Sequence, residues 1–214
     1  MALNAEVHRV KLGDSIKLSD LPTSGKQYSD DKEGVIADFE KQREMLIDLQ
    51  YRFYAEGQRK LLVIIQAMDC GGKDGTIRHV FQGVNSQGVR VTSFKVPTSE
   101  ERSYDFLWRI HREVPKTGMI GVFNRSHYED IVAVRVMRLA EESIWKPRYE
   151  YINDFERMLT GSGTTIVKFF LHISKDEQRE RLQSRIDDPA KRWKFAADDL
   201  EKRLDWEEYM NAYS

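Results

Sequence analysis

Apolar and polar positions along the chain predict four strands separated by helices. Short, nearly continuous apolar runs occupy residues 61–65, 89–94, 119–123 and 165–173. Each run has the length of a buried strand, and stretches with helical periodicity lie between them. Strands that alternate with helices predict βαβ units, and therefore an α/β fold with a parallel sheet.

Several sequence signals mark where helices begin and end. From residue 29 onward the apolar residues mostly keep the i, i+3, i+4 and i+7 spacing of an amphipathic helix, and Gly57 stands where that helix should end. Thr98 with Glu101, and Ser174 with Glu177, have the spacing of capping boxes. These pairs predict helix starts just after the second and fourth strands.

The two ends of the chain have different patterns. Residues 1–28 show no sustained period and contain Gly13, Pro22 and Gly25, which is typical of an irregular arm packed on the surface. Residues 198–213 have a helical pattern. We therefore expect an arm over residues 1–28 and one domain over residues 29–214.

Composition narrows the class of protein. The chain has 214 residues with 40% hydrophobic content, which suits a single core. Its 34 Lys and Arg residues balance 35 Asp and Glu residues, so the net charge gives no general attraction to nucleic acid or membranes. A single cysteine, Cys70, excludes an internal disulfide framework, and neither a signal peptide nor a membrane-spanning run is apparent. We expect a cytoplasmic protein with no nucleic-acid or membrane partner.

The stretch LLVIIQAMDCGGKDGT, residues 61–76, runs from a buried strand through a glycine turn into a helix. In that context backbone N–H groups and the helix dipole bind phosphates, and a lysine reaches the outer ones. The pattern departs from GxxxxGK[ST] because Ala67 and Asp74 replace two of its residues. A glycine turn with a solvated lysine is therefore the alternative. The candidate phosphate-binding residues are Gly71, Gly72, Lys73, Asp74, Gly75 and Thr76.

Asp69 places a negative charge inside this loop. A carboxylate within about 5 Å of a triphosphate repels it by a few kcal/mol unless a cation lies between them. Mg²⁺ resolves the conflict because it binds one or two carboxylates together with waters and phosphate oxygens. Asp69 is thus the predicted metal ligand, and Thr76 is a weaker candidate. N-capping of the following helix is the alternative role for Asp69 or Asp74.

A second candidate loop, GVFNRSHYEDIVAVRV, follows the third strand. Arg125 at the end of this strand should point toward the same crevice, where its guanidinium can bind phosphate oxygens in a bidentate way. Asn124 beside it can donate and accept hydrogen bonds. The alternative for Arg125 is an ion pair with Glu129 or Asp130.

A third, basic cluster spans residues 178–195, where a helical pattern breaks near Pro189. Arg185 lies near the end of this helix, where a mobile lid would carry cations over a phosphate chain and neutralise the charge of a transferred phosphoryl group. Arg179 and Arg181 are expected to lie on a solvated helix face.

Four blocks, AMDCGGKDGTI, FNRSHYED, YINDFERML and RLQSRIDDPAKRWKF, together resemble the polyphosphate kinases of family 2. The similarity is closest to the branch that uses AMP as well as ADP, and it covers about residues 30–214. It implies a P-loop kinase fold of three layers, in which helices flank a parallel sheet and a helical lid spans about residues 178–197. It also implies a phosphotransferase with a phosphate group as acceptor. Such an enzyme transfers a terminal phosphoryl group reversibly between polyphosphate and ADP or AMP, with Mg²⁺ required and Mn²⁺ as a substitute.

Carried over by position, the resemblance makes Asp69 the metal-linked aspartate and Lys73 the phosphate lysine. Arg125 and Arg185 complete the implied catalytic set. A polyphosphate chain needs a basic track, for which the candidates are Arg78, Lys191, Arg192 and Lys194. The resemblance further implies adenine nucleotides, with guanine nucleotides as an extension, and a homo-oligomer, either a dimer or a tetramer.

Two departures from the family pattern matter. Many relatives have FDRSWY at the second loop, whereas Asn124 and His127 stand here and leave one carboxylate fewer for metal. Relatives also continue beyond the position of Ser214 with a further strand and a helix. We therefore expect that the C-terminal part of the family domain is missing and that apolar surface is exposed at a sheet edge.

Two other functions stay open from the sequence. A nucleoside monophosphate kinase with ATP as donor has the same fold and similar arginines. A non-catalytic sensor of polyphosphate or nucleotides is the alternative from a different class.

Overall fold

A parallel sheet of four strands forms the centre of the protein. The computed structural model describes residues 5–11, 13–195 and 198–214. The strands are β1 (Lys60–Gln66), β2 (Val89–Ser93), β3 (Ile120–Asn124) and β4 (Thr164–Phe170), in the spatial order β2-β3-β1-β4. All three strand pairs are parallel, which confirms the predicted α/β class. The fourth strand ends at Phe170, before the predicted end at Ile173.

The register brings the carboxyl ends of the strands to one edge of the sheet. Ile65 of β1 lies beside Asn124 of β3, and Ser93 of β2 lies on the other side of Asn124. The loops that follow β1 and β3 therefore start side by side, and ligand sites in such sheets lie at this edge.

Nine α-helices are present among the described residues. They are α1 (Lys32–Glu56), α2 (Lys73–Val80), α3 (Trp108–His111), α4 (Glu129–Val136), α5 (Glu142–Trp145), α6 (Arg148–Gly161), α7 (Lys175–Asp187), α8 (Asp198–Leu204) and α9 (Trp206–Tyr213). None of them is long and apolar enough to cross a membrane.

Helices cover both faces of the sheet. Successive strand residues point to opposite sides, so alternate residues of one strand pack against different helices. Leu62 and Ile64 of β1 pack on one face with Ile110 of α3 and Phe155 of α6. On the other face, Val63 and Ile65 of β1 and Val122 of β3 pack with Ile77 of α2. Phe53 of α1 packs against the same cluster. Three layers result, as expected for this fold.

Helix ends follow the sequence signals with one exception. Gly57 ends α1 with a left-handed φ of 63°, and the Ser174 hydroxyl accepts the Glu177 N–H at 3.0 Å where α7 begins. Thr98 and Glu101 form a reciprocal capping box, with bonds of 2.7 and 3.1 Å. Only a 3₁₀ turn follows this box, so the helix predicted just after the second strand is wrong.

The terminal segments meet each other. The arm contains short 3₁₀ turns and no α-helix among its described residues. Leu18 in the arm is buried against Trp206 and Tyr209 of α9, and its N–H donates to the Ser214 hydroxyl at 3.1 Å. The helical stretch predicted over residues 198–213 forms two helices, which meet at Asp205.

β4 forms one edge of the sheet. No strand among the described residues pairs with its outer side, and Val167 and Phe169 are 36% and 52% exposed. This agrees with the apolar surface expected at a sheet edge.

The loop after β1 turns tightly before α2. The Gly71 N–H donates to the Met68 carbonyl oxygen at 2.9 Å, and a Cβ at Gly71 would lie 2.8 Å from that oxygen and closer still to the Ala67 side chain. Gly72 has a φ of +99°, which strains any residue with a side chain. These two glycines fix the path of the loop.

The Glu156 carboxylate holds the loop after β3 in place through its contacts with His127 and Tyr128. Glu156 of α6 accepts hydrogen bonds from Tyr128 at 2.8 Å and Lys168 at 2.7 Å, and it lies 3.2 Å from the ring of buried His127. Burial raises the pKa of Glu156, but the bonds to His127, Lys168 and Tyr128 outweigh burial and bring it to about 2. Glu156 therefore stays ionised and anchors the residues that follow Arg125.

We predict opposite effects of adding a methyl group at two glycines of the loop region. Gly71→Ala should lower the free energy of unfolding by about 1–3 kcal/mol, because the new Cβ overlaps the backbone of the turn. Gly75→Ala should raise it by up to about 1 kcal/mol, because alanine favours the helix, and the added Cβ would have no atom within 4 Å besides its chain neighbours and the backbone of its own helix. Urea unfolding measures both, and equal stability of the two variants would contradict the loop geometry.

We also predict that Glu156→Gln removes a pH-dependent part of the stability. The pKa of Glu156 falls from 4.5 to about 2 on folding. Its contribution, up to about 3 kcal/mol, is therefore complete above the unfolded pKa and is lost as the pH drops through the folded pKa. Urea unfolding at several pH values should show a gap between wild type and variant that narrows in acid. A gap that stays constant would refute this role.

Candidate functional site

A cavity of about 830 Å³ opens at the carboxyl edge of the sheet. The loop after β1, the ends of β2 and β3, and the region from α7 to α8 line it. Most of the predicted site residues meet here, namely Asp69, Gly71, Gly72, Lys73, Asp74, Gly75, Asn124, Arg125, Arg185, Lys191 and Lys194. Thr76, Arg78 and Arg192 are not among the lining residues.

Lys73 begins α2 and turns back into the loop. Its ammonium donates to the carbonyl oxygens of Ala67 at 2.7 Å and Met68 at 3.1 Å, and the residue is only 8% exposed. Burial and the nearby Arg125 lower the pKa of Lys73, while Asp69 acts in the opposite direction. The alternative of a solvated lysine is therefore wrong.

Asp69 lies between two cations. Its Oδ1 is 2.5 Å from the Arg125 guanidinium, and its Oδ2 is 3.0 Å from the Lys202 ammonium. Burial raises the pKa of Asp69, but Arg125, Lys202 and Lys73 lower it more, so the net pKa is below its ordinary value. Asp69 is ionised. Sequence reasoning missed Lys202 because no motif or spacing links α8 to this loop.

Arg125 adopts a left-handed φ of 63°, which is uncommon for a residue with a side chain. Its ion-pair partner is Asp69. The alternative hypothesis of an ion pair with Glu129 or Asp130 is therefore wrong. Asp130 instead pairs with Arg109 at 3.2 Å. Burial raises the pKa of Glu129, which lies near Arg125 and Lys73.

Asn124 and Asp74 connect the ends of β3 and α2. The Asn124 amide donates to the Asp74 carboxylate at 2.6 Å. Gly72 is the N-cap residue of α2 and no side chain caps this helix, so N-capping by Asp69 or Asp74 is wrong. Asp74 lies in the first turn of α2, where the helix dipole favours a negative charge.

Cations between residues 185 and 194 also line the cavity. Arg185 donates to Asp199 at 3.3 Å and to the Lys194 carbonyl oxygen at 3.2 Å. Lys191 pairs with Asp188 at 3.0 Å. Arg192 turns away from the cavity and donates to the backbone of the preceding helix.

The prediction that Arg181 lies on a solvated helix face is wrong, because Arg181 lines the cavity. Its guanidinium bonds Glu177 at 2.7 Å and the Cys70 carbonyl oxygen at 3.1 Å, and it lines the cavity. The i, i+4 spacing from Arg185 is the signal that could have identified it, because such residues share a helix face. Arg179 is exposed beside Asp176, as predicted.

The donor set fits a divalent cation that arrives with phosphate oxygens. No group of three metal-binding side chains occurs among the described residues. The Asp69 carboxylate has roughly four lone-pair positions, of which two are used by Arg125 and Lys202. Mg²⁺ needs only one or two protein carboxylates when phosphates and waters complete its shell. Asp69 is the residue that would hold it.

Comparisons with known proteins agree with this geometry. Residues 28–214 match the family described as Polyphosphate kinase 2 (PPK2). The chain is 61% identical over 165 residues to the AMP/ADP-polyphosphate phosphotransferase of Meiothermus ruber, covering 77% of this chain and 62% of that protein. It is 46% identical to the ADP-polyphosphate phosphotransferase of Rhodopseudomonas palustris, covering 100% of this chain and 78% of that protein.

A solved structure of a polyphosphate kinase 2 has the same fold as this chain. Polyphosphate Kinase 2 from Arthrobacter aurescens superposes with a TM-score of 0.91 at 48% identity, covering 98% of this chain and 75% of that one. The family match over residues 28–214 includes the loops after β1 and β3 and residues 178–197, and it confirms the resemblance predicted from the sequence blocks. The chain belongs to the polyphosphate kinase 2 family.

Proposed function

We propose that the protein is a polyphosphate:nucleotide phosphotransferase, which transfers a terminal phosphoryl group reversibly between inorganic polyphosphate and ADP or AMP. The observation that carries this proposal is the cavity, in which seven cationic side chains outnumber four acidic ones around a glycine loop. The cations are Lys73, Lys95, Arg125, Arg181, Arg185, Lys191 and Lys194, and the acidic residues are Asp69, Asp74, Glu180 and Asp199. The names of the relatives from Meiothermus and Rhodopseudomonas support the same reaction.

The two walls of the cavity suit a donor and an acceptor that are both polyanions. Lys73 and Arg125 stand on the sheet side, and Arg185 stands on the lid side. A phosphoryl group between them would contact cations on both sides, which favours the loose, charge-dispersed transition state of phosphoryl transfer. Positioning of this kind supplies much of the rate acceleration in such reactions.

Lys73 is held in place before phosphate arrives. The Ala67 and Met68 carbonyl oxygens keep its ammonium at the floor of the loop. Phosphate oxygens would replace these weaker acceptors with charged ones, and hydrogen bonds to ionised acceptors are roughly twice as strong.

A strong general base is not required, because phosphate oxygens are already good nucleophiles. No histidine is among the described residues that line the cavity. We assign Asp69 to metal binding, with Mg²⁺ as the ion and Mn²⁺ as a substitute. When bound, the ion neutralises phosphate charge beside the transferred group.

We assign polyphosphate binding to Lys191 and Lys194, which line the cavity, and to Arg192 and Arg78, which are not among its lining residues. Arg78 belongs to α2, and the other three belong to the predicted lid. Counterion release would make this binding weaker with added salt. By the family resemblance we also expect a cytoplasmic homo-oligomer, a dimer or a tetramer.

The experiment that tests this function supplies polyphosphate as the sole phosphoryl donor. Protein, Mg²⁺, polyphosphate and either ADP or AMP are incubated without ATP, and products are followed by phosphorus NMR. We expect ATP from ADP, ADP from AMP, and shorter polyphosphate. A parallel incubation contains AMP and Mg²⁺ with ATP in place of polyphosphate. Turnover in that incubation, with none in the presence of polyphosphate alone, would instead indicate a nucleoside monophosphate kinase. Binding of polyphosphate with no turnover would indicate a sensor.

In the same assay, Lys73→Ala and Arg185→Ala should each lower turnover by several orders of magnitude. The loss corresponds to about 3–6 kcal/mol of transition-state stabilisation per contact. Arg179→Ala is the matched control, because Arg179 lies on the exposed side of α7 beside Asp176. It should change turnover by no more than about twofold. A loss below about tenfold at Lys73 or Arg185 would remove that residue from the mechanism.

A further inference from the structure

We propose that Lys202 is a built-in counterion of Asp69, which keeps divalent cations away from this carboxylate until a phosphate chain is present. The role of phosphate in this proposal rests on the proposed function. The counterion role rests on the contacts around Asp69 and Lys202, and it does not depend on phosphate. Nothing in the family resemblance assigns a role to this residue.

The first support is the direct ion pair. The Lys202 ammonium lies 3.0 Å from Asp69 Oδ2, and both side chains are largely shielded, at 25% and 15% exposure. Arg125 holds the other carboxylate oxygen. One negative charge is thus shared by two positive charges, and Lys73 adds a third positive charge nearby.

The second support is that the fold fixes Lys202 in this place. The buried Gln178 side chain donates to the Asp69 carbonyl oxygen at 2.9 Å and accepts from Arg203 at 3.2 Å. Arg203 follows Lys202 in α8 and also donates to the Lys175 carbonyl oxygen at the start of α7. A chain of hydrogen bonds therefore ties α8 to the backbone of Asp69 itself.

The third support is that Lys202 does not line the cavity. Lys73, Arg125 and Arg185 line the cavity, whereas Lys202 is not among its lining residues. It approaches Asp69 from the side of α8. Its position suits a group that balances the charge of Asp69, and does not suit a phosphate contact.

The consequence for metal binding follows from the signs of the charges. A divalent cation at Asp69 would lie close to two or three positive groups and be repelled, more strongly than in water because the site is partly buried. A phosphate chain brings several negative charges and reverses the sign of the local field. Metal and phosphate should therefore enter together, so that the enzyme without substrate does not hold a divalent cation at Asp69.

The test measures Mn²⁺ binding by electron paramagnetic resonance, with no polyphosphate or nucleotide present. Lys202→Met removes the charge and keeps most of the side-chain length. We expect this variant to bind Mn²⁺ about tenfold more tightly than wild type. Lys202→Arg keeps the charge and should retain the weak affinity of wild type. Lys41→Met on the exposed side of α1 is the control for loss of one positive charge elsewhere, and it should not change the affinity.

The proposal is overturned if Lys202→Met and wild type bind Mn²⁺ equally, or if Lys202→Arg binds as tightly as Lys202→Met. Circular dichroism checks that each variant is folded, and Lys202→Gln replaces the methionine variant if that one is not. Because the titration contains no substrate, its result does not depend on polyphosphate transfer. Tightened Mn²⁺ binding in a protein that fails the phosphotransfer assay would refute the proposed function and leave the counterion role intact.

Discussion

The ion pair between Asp69 and Arg125 is the interaction on which the candidate site depends. Asp69 lies in the loop after β1 and Arg125 directly follows β3, and the parallel register of these neighbouring strands brings the two loops together. Both loops have a left-handed residue, Cys70 and Arg125, and such backbone geometry costs of order 1–3 kcal/mol each. The ion pair, together with the hydrogen bond from Asn124 to Asp74, holds the two strained loops against each other.

Most of the cations that line the cavity bond an oxygen of the protein itself. Lys73 bonds two loop carbonyls, Arg185 bonds Asp199, and Arg181 bonds Glu177 and the Cys70 carbonyl. A cation-rich cavity can therefore exist in a chain whose formal net charge is only −1. Phosphate oxygens that enter such a cavity would exchange with these protein oxygens. The pairing also limits the self-repulsion of the cations before substrate arrives.

Much of the fold could be predicted from the sequence, because strands, turns and helix ends leave local signals. The apolar run of β1, the glycines at 71 and 72, the Ser174 cap and the stop at Gly57 all depend on residues close in the chain. The meeting of Lys73 and Arg125 also followed, since parallel strands place their ends at one edge. Arg185 followed from the basic cluster near the end of a predicted helix. Lys202 could not be predicted, because its contact with Asp69 spans 133 residues and depends on how α8 packs on α7. Thr98 shows the opposite error: its capping box forms, but the residues after it make only a 3₁₀ turn.

A double-mutant cycle on Asp69 and Arg125 tests the central claim most directly. Urea unfolding of wild type, Asp69→Asn, Arg125→Met and the double variant gives the coupling free energy between the two side chains. The structure predicts a favourable coupling above about 1 kcal/mol, since the two groups are in contact and partly buried. Additivity of the two single changes within about 0.3–0.5 kcal/mol would show that the loops are held together by something else, and would contradict the account.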